Sequence, residues 1–510
     1  MMSGIETDRQ VGTVQDSEVN MRVRIPVIVL AIAVIFSSGL RAQAAHLSDG
    51  GCFSIVVGKN ASTTGFVTMA HNEDDGNPQI VNHRKVPRRT YAPGATVQLD
   101  SNLTLEQVPE TWAFIWSEMP GLLYSDSYLN EWGVCVCSDA CPSREDRPSL
   151  TGGGISSMLR RLIAERAKTA REGVRLAGDL IERFGYAGSG RTYIISDPRE
   201  GWMFGAVQGR HWLAQRVPDN QVALIANTYT VQTIDLADTV NYLGSADIIS
   251  YATERGWYNQ ETDGAFNFAR AFANTNDAAD PANIDRQWDG IRLVATEAPA
   301  FGEPLPFSVT PAKEIDVKAI MTVLRSHYEN TRLYGSDSVS GSPHGNSVTP
   351  ICRDYTQTSF IAELRGNMPS EIGLVYWVCL SSPCVSCYIP FYYGEQTFPD
   401  FYSGEGAAPS EEEYQARIEK LFAVDPTSAF WTFTSLREHV ERQYTATSQN
   451  VRHALDAVES EALMKQATID QQALELLTHD KEKALNLLSK YSFDTYQDAL
   501  KTLGEMKFVR

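Results

Sequence analysis

Thiols, imidazoles and carboxylates are the groups in this chain that could drive hydrolysis, and Cys52 stands apart among them by its position. It follows Gly50-Gly51 and opens the β-rich run Phe53-Ser54-Ile55-Val56-Val57. If the chain is trimmed up to Gly51, Cys52 becomes residue one and carries a free α-amine. Such an amine has a reference pKa near ~8, so its neutral fraction can take the thiol proton without an imidazole. The alternative is a buried strand cysteine with no chemistry. None of His71, His83, His211, His327, His344, His439, His453 or His479 sits in a signature that selects it, and neither His-Glu-x-x-His nor Gly-x-Ser-x-Gly occurs. Asn72-Glu73-Asp74-Asp75 lacks the spacing of a calcium loop. Only Cys384-Val385-Ser386-Cys387 has the spacing of a zinc knuckle, and Cys135-Val136-Cys137 is too tight for one, so no metal is expected.

The elements that must position Cys52 begin after a leader. Met21-Arg22-Val23-Arg24, an apolar run from Ile25 to Phe36 and the small-x-small end Ala42-Gln43-Ala44 read as a signal peptide over about 21–44. The apolar run is shorter than the roughly 20 residues that cross a bilayer. Translation from Met21, cleavage after Ala44 and loss of a short propeptide, 45–51, are expected, giving an exported periplasmic or extracellular protein. Export permits disulfides. Eight cysteines are too few for a disulfide-built scaffold, but the close pair Cys384 and Cys387 points to a bond there.

A formal charge of -19, from 44 basic and 63 acidic residues, argues against a nucleic-acid partner. The basic run His83-Arg84-Lys85-Val86-Pro87-Arg88-Arg89 reads as a strand end or loop, with a patch for a substrate carboxylate as the alternative. No later segment has the apolar length of a membrane span.

Strands are expected at 53–57, 66–70, 111–115 and 132–136. A helix follows from Ile155 to Ala164, and another opens at Thr169, with Glu172 three residues on, and stops at Gly185. After a loop at 186–190, strands return at 192–195, 201–207, 211–216 and 222–226. A helix at 316–328 and buried strands at 360–364 and 372–380 precede a helical tail, clearest at 468–477 and 481–488. The fold class is α+β: a catalytic domain over 52–410 and a helical C-terminal region, 411–510, packed on it.

Gly51-Cys52-Phe53-Ser54-Ile55-Val56-Val57-Gly58-Lys59-Asn60-Ala61-Ser62 and Met69-Ala70-His71-Asn72-Glu73-Asp74 together resemble the opening of the C69 dipeptidases, N-terminal-nucleophile cysteine hydrolases related to penicillin V acylase and bile salt hydrolase. The resemblance continues through Tyr128-Leu129-Asn130-Glu131-Trp132-Gly133-Val134, Ile195-Ser196-Asp197-Pro198 and Ile225-Ala226-Asn227. It extends to Leu324-Arg325-Ser326-His327-Tyr328-Glu329, Ile351-Cys352-Arg353 and Pro390-Phe391-Tyr392. It implies an αββα sandwich with Cys52 as nucleophile. Asp74 corresponds to the carboxylate that holds the α-amine, Asn227 to the oxyanion-hole asparagine and Arg353 to a downstream arginine near the thiol. Two departures stand out. His71 occupies the place of the family's arginine, and neither Ser138 nor Asp139 reproduces the second asparagine of the acylases.

The implied activity is hydrolysis of dipeptides through a thioester on Cys52, with a small peptide as substrate and no cofactor. Membrane attachment after signal cleavage is not expected, and self-association into a homo-oligomer stays open. Two rivals remain at this level: an amidohydrolase acting on N-acylated non-peptide substrates, and an exported binding or structural protein that has lost its active site.

Overall fold

The computed structural model describes residues 51–74, 80–99, 103–395, 398–404 and 422–506. The expected signal peptide, propeptide residues 45–50 and the start of the C-terminal region at 411–421 lie outside the described residues.

Alternation along the strand Phe53–Val57 sets the layering. Phe53, Ile55 and Val57 enter one apolar cluster, while Val56 enters another on the opposite face. The strand sits inside a seven-stranded antiparallel sheet, in the order Ser308–Val309, Val222–Ile225, Phe53–Val57, Thr68–Glu73, Thr358–Leu364, Leu374–Leu380, Ile389–Tyr392. A second antiparallel sheet has eight strands, in the order Tyr242–Gly244, Trp212–Arg216, Gly201–Gly209, Tyr186–Ser196, Cys135–Ala140, Tyr128–Asn130, Phe114–Glu118, Asn82–Val86.

The two sheets share a core that includes Val56, Met69, Leu129, Cys137, Ile194, Met203, Ile225 and Phe360. Helices Met158–Arg166 and Ala170–Phe184 cover the outer face of the eight-stranded sheet, burying Leu159, Ile163, Val174 and Ile181 against Val136, Ile195 and Phe204. Helices Pro281–Val294 and Val317–Leu324, with the long pair Tyr444–Leu477 and Lys481–Glu505, cover the outer face of the seven-stranded sheet. The α+β, αββα layering expected from the sequence is thus present, with helices added at the C-terminal end. The described residues form one compact unit, and among them no helix is long and apolar enough to cross a membrane.

Local chemistry explains the boundaries. Thr169 caps its helix by accepting the Glu172 N–H at 3.1 Å, and Gly185, at φ 80°, ends it. Asp316 caps the helix Val317–Leu324 by accepting the Ala319 N–H at 2.7 Å. The strand expected over 132–136 starts only at Cys135, because 131–134 form a turn between the strands Tyr128–Asn130 and Cys135–Ala140. Asn130 Oδ1 accepts the N–H groups of Trp132 and Val134, and Gly133 adopts φ 82°. The expected loop at 186–190 belongs to the strand Tyr186–Ser196, where a register shift between Tyr186 and Gly190 absorbs its small residues.

The expected disulfide is not formed. All eight cysteines are buried free thiols. Cys384, on the 3-10 turn Pro383–Val385, directs its sulfur to His344 Nε2 at 3.7 Å, whereas the Cys387 thiol lies by the Tyr388 carbonyl at 3.9 Å. The turn sends the two side chains to different neighbours.

Candidate active site

Strand register assembles the site around Cys52. Ser54 pairs with Ile225 on one side, and Phe53 pairs with Asn72 on the other. Continuing these antiparallel registers sets Asn227 and Glu73 opposite Cys52 from the two flanking strands, with Asp74 opposite Gly51. A hydrogen bond from Gly51 N to Asp74 O, at 3.0 Å, marks this continuation. Residues more than a hundred positions apart therefore meet because they share one row across a central sheet.

The Cys52 side chain is 6% exposed and its sulfur lies 3.6 Å from Glu73 Oε2. Burial foremost, and then the Glu73 carboxylate, push the thiol far above its ordinary value, and His71 opposes them. With Gly51 joined to its nitrogen, Cys52 is therefore held as a protonated, poorly nucleophilic thiol.

Asn227 is held flat by two partners. Its Nδ2 donates to Ala140 O at 3.0 Å, and its Oδ1 accepts from Arg286 Nη2 at 2.8 Å. Its φ of 41° lies in the left-handed region, which asparagine tolerates better than most residues. Arg286 also donates to Cys52 O at 2.9 Å, to Gly51 O, to Asn283 Oδ1 and to Ala282 O. One buried guanidinium thus ties the candidate nucleophile's backbone to the candidate oxyanion donor. Arg286 was not singled out in the sequence. Its signal was a helix, Pro281–Val294, whose buried positions include Asn283, Asp285, Gln287 and Asp289 as well as Arg286. A polar buried face on an outer helix marks a site rather than a packing seam.

Asp74 and Arg353 form a second buried pair, with Nε 3.7 Å from Oδ2. Thr356 Oγ1 donates to Asp74 Oδ1, while Asp74 Oδ2 accepts no hydrogen bond from any described residue. Burial raises the Asp74 carboxyl, against Arg353 and Thr356. Burial, reinforced by Arg286, lowers Arg353 to about 10. The Arg353 guanidinium lies directly over Gly51, where a Cβ would come 2.2 Å from Nη2.

His71, on the strand Thr68–Glu73, faces the inter-sheet space. Its Nδ1 lies 2.8 Å from Ser54 Oγ, and its Nε2 lies 3.1 Å from Glu73 Oε2 and 3.2 Å from Asp126 Oδ2. Burial works against a charged imidazole, but Asp126 and Cys137 outweigh it and hold His71 well above its ordinary value. Asp126 is correspondingly held low by His71 despite its burial, whereas burial and Asp126 raise Glu73. A buried carboxylate, Asp126, thus favours the charged form of His71. Cys52, His71 and Glu73 bring three potential metal-ligating atoms within 4.8 Å of one another, yet both imidazole nitrogens are already engaged by Ser54 and by Glu73 and Asp126.

On the neighbouring strand, Ser138 Oγ accepts from Arg160 and Arg191, and Asp139 accepts from Ser54 at 2.6 Å. Burial lifts Asp139 to about 6. Neither side chain reproduces an asparagine amide. The basic run after His83 is engaged internally: Arg84 pairs with Glu118, Lys85 donates to the carbonyls of Tyr393 and Glu395, and Arg88 pairs with Glu131.

Residues 51–457 match the family model described as Peptidase family C69. The chain belongs to peptidase family C69. The C69 chain is 28% identical over 359 residues to a probable dipeptidase of Salmonella dublin, covering 67% of this chain and 81% of that protein. It is 26% identical to a probable dipeptidase of Latilactobacillus sakei, over 86% of this chain and 94% of that one. The solved structure of penicillin V acylase from Agrobacterium tumefaciens aligns over 67% of this chain and 86% of its own, at 10% identity and a TM-score of 0.31. Family membership makes this C69 protein a cysteine-type hydrolase of small peptides. The four residues selected from its sequence, Cys52, Asp74, Asn227 and Arg353, lie together around the start of one central strand, with Arg286, Glu73, His71 and Asp126 added to them by the fold.

Proposed function

We propose that the protein is a thiol-dependent dipeptidase in which Cys52, freed from the leader, is both nucleophile and carrier of the general base. The observation that carries this is Asp74: a buried carboxylate in the row beside Cys52, with one oxygen bare of hydrogen bonds from described residues. A chain beginning at Cys52 would offer that oxygen an ammonium donor in place of the Gly51 peptide, and Arg353 would be uncovered by the departure of Gly51. The names of the relatives support the dipeptide class. On this reading the C69 protein is exported, with its signal peptide at 21–44 and propeptide at 45–51. Its domain over 52–410 carries the helical region 411–510.

In the proposed reaction the neutral α-amine of Cys52 takes the thiol proton and the sulfur attacks the peptide carbonyl, forming a C–S bond and an oxyanion. The Asn227 amide, oriented by Arg286 and Ala140, donates to that oxyanion. Collapse breaks the C–N bond, and the proton on the α-amine passes to the leaving amino group. Water then attacks the thioester, giving its proton to the same amine, and the thiol is restored.

The test is steady-state hydrolysis of dipeptides set against N-acyl amino acids by processed protein, with Cys52→Ser alongside. Turnover of dipeptides that falls by several powers of ten in Cys52→Ser is expected. Preferential turnover of the N-acyl compounds would instead make this an amidohydrolase of non-peptide substrates. The 3.6 Å approach of Glu73 to the sulfur favours a second reading, in which Glu73 is the base and no trimming is needed. Full activity in Glu73→Gln excludes it.

A further inference from the structure

Away from Cys52, four side chains converge that the proposed reaction does not use. His327 follows the helix Val317–Leu324, His344 lies on the 3-10 turn Pro343–Gly345, Cys352 follows it, and Cys384 sits on the turn Pro383–Val385. One ligand atom from each lies within 4.8 Å of every other. The Nε2 atoms of His327 and His344 are 3.0 Å apart, and Cys384 Sγ is 3.7 Å from His344 Nε2. Cys352 is fully buried, Cys384 is 7% exposed and His327 is 4% exposed.

The outer nitrogens show which way the lone pairs face. His327 Nδ1 lies 3.0 Å from Glu329 Oε1, and His344 Nδ1 lies 2.7 Å from Glu441 Oε1. A carboxylate only accepts, so each Nδ1 donates and, in the neutral ring, each Nε2 keeps a bare lone pair. Two such lone pairs meeting at 3.0 Å beside two sulfurs repel one another unless a proton or a metal cation lies between them, and the two sulfurs favour the metal. Carboxylates on the far nitrogens of two converging histidines are also the usual support of metal-bound imidazoles. The spacing fits: Zn–N bonds of about 2.0–2.1 Å and Zn–S bonds of about 2.3 Å in a tetrahedron put N–N near ~3.3 Å and N–S near ~3.6 Å.

We propose that His327, His344, Cys352 and Cys384 form a structural zinc site. Two thiolates and two imidazoles at tetrahedral spacing suit Zn2+, and four protein ligands leave no open position for substrate or water. A surface cavity of about 930 Å³, lined in part by Ser326, His327, Cys384, Tyr444 and Arg452, gives the ion a route in. The ion would pin the segment leading into Arg353. Cys352 N donates to Ser326 O at 3.1 Å, and Arg353 O accepts from Ser382 Oγ, so two ligands flank the backbone that carries Arg353 to Asp74. The ligand spacings of 17, 8 and 32 residues match no knuckle, which is why the sequence pointed away from a metal.

The test uses the full, purified chain and Zn2+ itself. After dialysis against metal-free buffer without chelator, elemental analysis should find about one zinc per chain, as a closed four-coordinate Cys2His2 site binds it. Co2+ exchanged into the site should show thiolate-to-cobalt charge transfer and the strong visible bands of a tetrahedral ion. Cys352→Ser and His344→Ala should each lose the metal, while Cys52→Ser and Cys387→Ser keep it, which separates this site from the one at Cys52. Should the ligand variants fail to fold, the wild type still decides. A Cys352–Cys384 disulfide in its peptide map, or no bound zinc after reduction and reconstitution with Zn2+, would overturn the proposal. So would a stoichiometric metal unaffected by Cys352→Ser.

Discussion

Replacing Asn227 by glycine tests the oxyanion assignment with little backbone interference. Asn227 holds φ at 41°, which costs an alanine roughly 1–2 kcal/mol, whereas glycine adopts it freely. The substitution therefore removes the amide and not the turn. Two bonds go with it: the Ala140 carbonyl loses its donor, and Arg286 Nη2 keeps Asn283 Oδ1 at 3.1 Å. Leaving the half-buried Ala140 carbonyl without its donor costs at most about 1–3 kcal/mol of stability, a loss that a compact unit of this size should survive. Loss of a single oxyanion donor lowers turnover by about 10²–10³, or ~2.7–4 kcal/mol of the barrier, because the bond strengthens only as charge develops. Binding of the neutral carbonyl changes little, so kcat should carry the loss and KM should move by no more than a few-fold. The assay is steady-state hydrolysis of one good dipeptide by processed enzyme, with thermal unfolding as the check on fold. A folded Asn227→Gly enzyme with kcat within tenfold of wild type would refute the role given to this amide.

Four further substitutions have expected outcomes. Asp74→Asn should lower turnover roughly a hundredfold, in the range of general acid–base contributions, and shift the rising limb of the pH–rate profile. Glu73→Gln should leave that limb in place. Asp126→Asn removes the carboxylate that does most to keep His71 charged, so an NMR titration should find the His71 pKa lowered from its wild-type position. An unmoved His71 would contradict this electrostatic account. Glu395 is buried against Ser492 and the Tyr392 N–H, and burial lifts it to about 8. Its folded pKa exceeds its unfolded value, so its stabilising contribution is complete below about pH 4.5 and is lost as pH rises towards 8, at up to ~1.4 kcal/mol per pH unit. Denaturant titrations should show this slope in the wild type and its flattening in Glu395→Gln.

Much of the layering was legible because it rests on short-range pattern. Phe53, Ile55 and Val57 alternate with Ser54 and Val56, and Thr169 with Glu172 announces a helix start that the structure keeps. Boundaries set by side-chain capture were harder to read. Asn130 folds back on the N–H groups of Trp132 and Val134 and delays to Cys135 the strand expected from Trp132. Apart from Cys52, which its position singled out, the candidate site was legible only where the family resemblance named its residues. Which partner lies opposite Cys52 depends on the register between strands far apart in sequence, and no local period encodes that. Arg286 and Asp126 act through burial, which composition does not show. The same limit hid the His327–His344–Cys352–Cys384 cluster, whose members meet only after the two 3-10 turns fold onto the end of the Val317–Leu324 helix.

In the proposed reaction, catalysis begins with a free amine on Cys52. Active enzyme, acylated on its nucleophile by a slow-turnover dipeptide analogue and digested, should yield one modified N-terminal peptide. Mass spectrometry should place the acyl group on Cys52 with no residue before it, on the sulfur or, after S-to-N transfer in the digested peptide, on the α-amine. An acylated, fully active population that retains Gly51 on Cys52 would contradict the account.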